Sequence, residues 1–245
     1  MSFDERVTGI VLSAVPQGEY DKRITLLTRQ RGKITAFARG VRRPGNSLMA
    51  ACSPFAFGDF YVYRGKTSYS LNKAEISNYF RDMASDYDKA MYGFYFLEVC
   101  DYFGLEGQDE SNLIKLVYAA LKALEKGLID IRLIKSIFDL KMLYLNGTYP
   151  DVFKCDKCGS KKDLSLISVK DSVVYCSECA RDETVLGSVI NPAALYAMQY
   201  VITASVEKLF SFTLADGIAG QFERMTKNFF SKYINHSFKS GQMLI

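Results

Sequence analysis

A chain of 245 residues, 49% hydrophobic and 24% charged, has room for one large domain or two ordinary ones and is too apolar to be disordered. No apolar run is long enough to span a bilayer. The N-terminal MSFDERVTG carries acids early and has no apolar stretch, which argues against a secretory signal and for the cytoplasm. The net charge of +4 is unevenly spread. Residues 1–80 hold 12 Lys and Arg against 6 Asp and Glu, and residues 81–245 hold 19 against 21. Eight basic residues fall between Lys22 and Arg43, and no acid occurs from Lys22 to Gly58. One-sided charge of this kind is the footprint of a polyanion-binding face, with a solvated basic surface as the plain alternative.

Residues 1 to about 80 read as five short strands: Val7–Ser13, Ile24–Thr28, Lys33–Arg39, Phe60–Arg64 and Ser68–Ile76, the last two joined by a turn at Gly65. Alternation along the third places Ile34, Ala36 and Ala38 on one face and Lys33, Thr35, Phe37 and Arg39 on the other. Five strands in this length suit a small closed barrel such as the OB-fold. Tyr61 and Tyr63 are in phase with each other and are expected in the core.

After Phe80 the apolar period changes from two to 3.6. Met91, Tyr95, Val99 and Tyr102 mark a buried helix with Ser85 as its N-cap; Leu113, Leu116, Val117, Ala120, Leu121 and Leu124 mark a second. Ile131, Ile134, Phe138, Met142 and Leu145 mark a third, capped by Asp130 and closed by Gly147 and Pro150. Asn191 and Pro192 open a fourth, with Leu195, Met198, Ile202, Val206 and Leu209 on one face. Thr213 with Asp216 starts a fifth along Leu214, Ile218, Phe222, Met225, Phe229 and Tyr233. The expected fold is α+β and multidomain: an N-terminal OB-fold barrel over residues 1–80, then a helical domain over 81–245 with a cysteine module inserted at about 151–187.

That module holds Cys155-x-x-Cys158 and Cys176-x-x-Cys179. Each pair can turn two sulfurs toward one ion, and two pairs complete a tetrahedron, so the spacing predicts one structural Zn²⁺ with no open position for catalysis. Gly159 suits the turn of the first knuckle. Disulfides would need an oxidising compartment, and a redox C-x-x-C would normally occur once. Cys52 and Cys100 are isolated and read as buried neutral thiols. Lys154, Lys157, Lys161 and Lys162 crowd the first knuckle, where they offset thiolate charge or add a phosphate contact; compensation is the favoured role.

Within the barrel, Lys33, Phe37 and Arg39 combine cations for phosphates with a ring for base stacking, and Arg42 and Arg43 occupy a Gly40–Gly45 loop. With Lys22, Arg23, Arg29 and Arg31 they form the candidate DNA-binding set. Ordinary packing of Phe37 and a solvated turn at Arg42 and Arg43 stay open as alternatives. No base-reading motif is visible, so binding should be sequence-independent and salt-dependent. No phosphate-binding loop or nucleophile elbow occurs, and the single histidine, His236, supports no triad, so no enzyme is expected.

The stretches GIVLSAVPQGEYDKRITLLTRQRGKITAFARGVRRP and SPFAFGDFYVYRGKTSYSLNKAEI, the helical middle, the paired cysteines and the closing YINHSFKS together resemble the RecO family of recombination mediators over nearly the whole chain. The resemblance implies an N-terminal OB-fold and a helical domain with a zinc module. It implies binding of single- and double-stranded DNA and strand annealing. It further implies partnership with RecR and single-strand-binding protein and, indirectly, with RecA and RecF. By position, Lys22, Arg23, Arg39, Arg42 and Arg43 match the family's DNA-binding region, and the four cysteines match its zinc ligands. Some relatives lack the cysteines, so the metal is not the source of the activity. The helical domain is expected to receive the acidic, apolar tail of single-strand-binding protein. A cytoplasmic, nucleoid-associated location and no membrane contact follow. A zinc-ribbon protein-interaction adaptor without DNA binding is the rival reading, and an enzyme on nucleic acid a second.

Overall fold

The computed structural model describes residues 5–66 and 68–244. Strands β1 (Glu5–Gln17), β2 (Asp21–Thr28), β3 (Gly32–Ala38), β4 (Phe57–Arg64) and β5 (Tyr69–Asn78) close into a barrel in the order β1-β2-β3-β5-β4. Neighbours are antiparallel except β3 and β5, which run parallel with Ala36 beside Tyr69 and Phe37 beside Ser70. This is the five-stranded order of an OB-fold. The period of two fixes the lining: Ile24, Leu26, Ile34, Ala36, Phe60 and Val62 are buried together inside. Tyr61 and Tyr63, expected in the core, face out because Phe60 and Val62 take the inner phase. Tyr63 is 38% exposed, and the Tyr61 hydroxyl donates to Glu75 at 3.3 Å.

Helices α1 (Arg81–Ala84), α2 (Tyr87–Phe103) and α3 (Ser111–Lys126) follow. Asp86, not Ser85, caps α2, its carboxylate accepting from the Lys89 N–H at 3.2 Å; Ser85 instead closes α1. The two adjacent caps differ by one residue, and the aspartate holds the extended backbone that a cap requires. α2 buries Tyr92, Tyr95, Phe96, Val99 and Cys100, whereas Tyr102 from the expected stripe stays half exposed. These helices pack on the barrel. Lys33 N–H donates to the Leu105 carbonyl at 3.0 Å, and the Phe57 and Tyr118 rings lie 4.6 Å apart. Gly32, at φ 62°, makes the approach possible, since a Cβ there would sit 1.9 Å from the Leu105 oxygen. Secondary structure changes character at residue 80, but compactness divides the chain elsewhere: the first unit runs on to Lys126 and takes in the chain again from Phe238. That returning segment lays the Phe238 ring 5.8 Å from Tyr95 and 5.6 Å from Tyr102. The Glu98 carboxylate accepts from the Lys239 and Ser240 N–H groups at 2.9 and 2.8 Å.

The second unit, Gly127–Ser237, is built on α4 (Ile131–Leu145), α5 (Pro192–Thr203) and α6 (Asp216–Tyr233). Between α4 and α5 lies a sheet of β6 (Asp151–Cys155), β7 (Leu164–Ser168), β8 (Val173–Cys176) and β9 (Ser188–Val189), ordered β6-β8-β7-β9. Asp130 and Asn191 cap α4 and α5 as expected. α4 is buried on nearly every side. Even Lys141 is only 3% exposed, its ammonium donating to the Ile202 and Ala204 carbonyls at 2.9 and 2.8 Å, where α5 runs out of its own donors. Burial pulls its pKa down. α5 stops at Thr203, so Val206 and Leu209 reach the core from a 3-10 turn rather than from the expected helical face. α6 begins at Asp216 after Ala215 with no side-chain cap, so Thr213 does not start it. Gln199, Gln221 and Lys232 fasten the sheet to the helices, donating to the carbonyls of Val152, Val189 and Val169 at 2.6, 2.8 and 3.0 Å. Among the described residues no helix is long and apolar enough to cross a membrane.

Candidate functional site

A cleft of about 720 Å³ opens on the outer face of β2 and β3. Arg23, Lys33, Arg64 and Lys66 bring four cations to it, and Thr25, Thr35 and Ser68 bring hydroxyls. The strand period explains the grouping. Arg23 lies opposite Phe37, and Thr25 opposite Thr35, so outward positions of two strands form one surface. The parallel pairing of β3 with β5 then draws in the β4–β5 turn, tightened by the Gly65 N–H donating to the Ser68 carbonyl at 2.8 Å. Arg23, Arg64 and Lys66 make no ion pair among the described residues, so their charge is open to a ligand.

The predicted DNA-binding residues divide into three groups. Arg23, Lys33 and Phe37 share the outer face, with Phe37 half-buried and Arg39 exposed at the next outward position. From Lys33 to Phe37 the strand advances about 13 Å, and Arg39 lies in the turn just past its end. Lys33 is partly engaged, its ammonium 3.3 Å from the Asp101 carboxylate. Arg42 and Arg43 form a second group beside the β1–β2 hairpin. The Arg42 N–H donates to the Tyr20 carbonyl at 2.8 Å, and the Arg43 guanidinium lies 5.3 Å over the Tyr20 ring. The rest are turned elsewhere. Lys22 falls in the inner phase and donates to the Cys52 carbonyl at 3.1 Å. Arg31 pairs with Glu5 at 2.8 Å. Arg29 lies near Asp59, whose carboxyl is held below its usual range by hydrogen bonds from Arg6 and Thr8, with help from the Arg29 charge. Arg64 and Lys66 escape sequence reasoning. Their signal is a pair of cations flanking the glycine of a hairpin turn, a place where strand phase gives no facing.

In the second unit, the end of β6 carries Cys155, the end of β8 carries Cys176, and the turns after them supply Cys158 and Cys179. Gly159, at φ 73°, lets its N–H fold back onto the Cys155 carbonyl at 2.8 Å. The four sulfurs lie within 4.8 Å of one another, and those of Cys158 and Cys176 are 3.7 Å apart. A tetrahedron of thiolates about 2.3 Å from a zinc ion has edges of about 3.8 Å, so this cluster fits a single metal ion with no position left for substrate. Burial opposes ionisation of Cys155, but N–H groups of Cys176, Cys158 and Lys157 outweigh it and bring the thiol down to about 6. Lys157 pairs with Asp182 beside the cluster, and Lys154, Lys161 and Lys162 are exposed. The two remaining thiols are buried; burial pushes Cys52 up to about 11, and Cys100 also well above its usual range.

A closed five-stranded barrel followed by helices and a four-cysteine sheet is a two-part architecture, and two recombination-protein family models divide the sequence in the same order. Residues 1–80 match the family described as Recombination protein O N terminal, and residues 84–242 match Recombination protein O C terminal. The chain belongs to the RecO family of DNA repair proteins. It is 27% identical over 235 residues to the DNA repair protein RecO of Acetivibrio thermocellus, covering 95% of this chain and 93% of the relative. It is 29% identical to that of Clostridium acetobutylicum, covering 91% and 90%. It is 32% identical to that of Caldicellulosiruptor saccharolyticus, covering 72% of each.

Proposed function

We propose that this chain is a non-catalytic recombination mediator that binds single- and double-stranded DNA through its barrel, anneals complementary strands and assists the loading of RecA. The observation that carries the reading is the cleft on β2 and β3, where Arg23, Lys33, Arg64 and Lys66 converge. This face and the β4–β5 loop are the parts of an OB-fold that take oligonucleotides. Cations neutralise phosphates and Phe37 offers a ring to a base. Neutralised strands approach one another without full mutual repulsion, which is the physical content of annealing. Arg39, Arg42 and Arg43 extend the cationic track; Lys22, Arg29 and Arg31 contribute field rather than contact. Residues 1–80 act as the DNA-binding domain, and residues 81–245 as the domain for RecR and single-strand-binding protein, with the module at 151–187 holding one structural Zn²⁺ on Cys155, Cys158, Cys176 and Cys179. RecF and RecA are met indirectly, in the cytoplasm at the nucleoid.

The test is binding and annealing of complementary oligonucleotides over a salt series by the double variant Arg23→Glu, Lys66→Glu. Binding should weaken at low salt, and the slope of log affinity against log salt should flatten by about one for each phosphate that is no longer neutralised. Unchanged affinity and slope would remove the cleft from the interface. Absence of any DNA affinity in the parent protein would favour the protein-adaptor alternative.

A further inference from the structure

Phe37 does not stand alone on the outer face. The barrel register sets Val15 opposite Arg23, Arg23 opposite Phe37, Phe37 beside Ser70 and Ser70 opposite Tyr63. All five point outward, because a neighbour of each on its own strand (Ala14, Ile24, Ala36, Leu71 and Val62) packs in the core. One row of side chains thus crosses β1, β2, β3, β5 and β4, and it carries one cation and two rings. Tyr63 is exposed, and neither its ring nor its hydroxyl has a polar or aromatic partner among the described residues. Tyr61, the other outward ring of β4, is engaged: its hydroxyl donates to Glu75, and the Lys73 ammonium lies 5.1 Å over its face. Phe37 and Tyr63 stand two strands, or about 10 Å, apart. Ser70 between them is too small to fill that space. Each ring has a cation beside it, Arg23 opposite Phe37 and Arg64 next after Tyr63 in the chain, and both cations line the cleft.

We propose that Tyr63 is a second base-stacking residue, and that a single strand crosses the barrel over β3, β5 and β4 with one base on Phe37 and another on Tyr63. The inference rests on the reading of this face as the DNA site. It adds the path of the strand and the part of the ligand that is held. An exposed ring gains from a flat partner, and every base has such a face, so the contact reads no sequence. The spacing favours one form of nucleic acid. Stacked nucleotides rise about 3.4 Å each, so about 10 Å spans three of them. For two bases over that length to lie on protein rings, they must leave their own stack. That costs least in a strand that is already single, whereas a duplex must also break its pairs. Tyr63 therefore favours unpaired DNA, while Arg23, Arg64 and Lys66 act on the phosphates of either form.

The test is Tyr63→Ala in the full chain, with Tyr63→Phe beside it and thermal unfolding as a check on folding. Affinity is measured over a salt series for a single-stranded oligonucleotide, the matching duplex and an abasic strand of the same length. Tyr63→Ala should weaken single-strand binding about tenfold, the loss expected for one base on one ring. The slope of log affinity against log salt should stay as it is in the parent, because no phosphate contact is lost. Duplex binding should change less, and the abasic strand should bind parent and variant alike. Tyr63→Phe keeps the ring and should bind the single strand as the parent does. No loss with Tyr63→Ala, an equal loss with duplex or abasic strand, or failure of Tyr63→Phe to retain binding would overturn the stacking role. Arg23→Glu, Lys66→Glu in the same assay separates the two failures. If it weakens binding while Tyr63→Ala does not, only this inference falls. If both leave binding intact, the reading of the cleft falls and the inference goes with it.

Discussion

The barrel and the four-cysteine sheet are both small β structures, yet they are held together by different physics. The barrel closes on itself, leaves no open edge and fills its interior with Ile24, Leu26, Ile34, Phe60, Val62 and their neighbours. The sheet of β6 to β9 has strands of two to five residues, two of them forming open edges, and it offers few large side chains to a core of its own. Its cohesion comes from four sulfurs gathered at one point and from side chains of α5 and α6 that fasten its carbonyls. Burial distributes stability over many weak contacts; a metal cluster concentrates it in one.

The sharpest way to break that comparison is to remove the zinc proposed for the four sulfurs. Structural zinc binding is worth on the order of 10 kcal/mol. Chelation, or Cys176→Ser, should open the region from residue 156 to 187 to limited proteolysis while leaving hydrogen-exchange protection in β1 to β5 as it was. A protected module in a metal-free protein would show that packing, not sulfur, holds it. The complementary cut is Phe60→Ala, which empties the centre of the barrel. It should cost about 3–5 kcal/mol in denaturant unfolding and leave the metal content unchanged at one ion per chain. The smallest effect tests the barrel seam between β1 and β4, where Arg6 and Thr8 hold the Asp59 carboxyl. The folded pKa of Asp59 is depressed, so its contribution is present above the ordinary carboxylate range and disappears as pH falls through the lowered value. The difference in melting temperature between the parent and Asp59→Asn should therefore be constant above about pH 5 and close below about pH 4.

The same contrast explains what sequence alone can reveal. The cysteine spacing announces its cluster because the chemistry is local to two short turns. Alternation in β3 places Lys33, Phe37 and Arg39 on one face because its inner positions, Ile34, Ala36 and Ala38, are all apolar and its outer ones mostly polar. In β4 the rule fails, since both phases carry aromatics, and only barrel closure decides that Phe60 goes in and Tyr61 out. Arg64 and Lys66 join Arg23 through the parallel pairing of β3 with β5, which brings together positions some thirty residues apart that no local pattern links. Asp101 and Glu106, which also line that cleft, are farther still, and their approach hangs on the bare backbone of Gly32. Lys22 and Arg23 show the limit of charge counting: they are adjacent, equally cationic and on opposite sides of the strand.

The return of the chain to its first unit at Phe238 has a consequence for biosynthesis. Tyr95, Tyr102 and Glu98 are made early, but the residues that cover them are made only after the whole of Gly127–Ser237. At translation rates of about 5–20 residues per second, the face of α2 that awaits them stays bare for several seconds or more. In that interval the four-cysteine middle of the polypeptide can emerge and fold. The half that begins first is thus the half that finishes last.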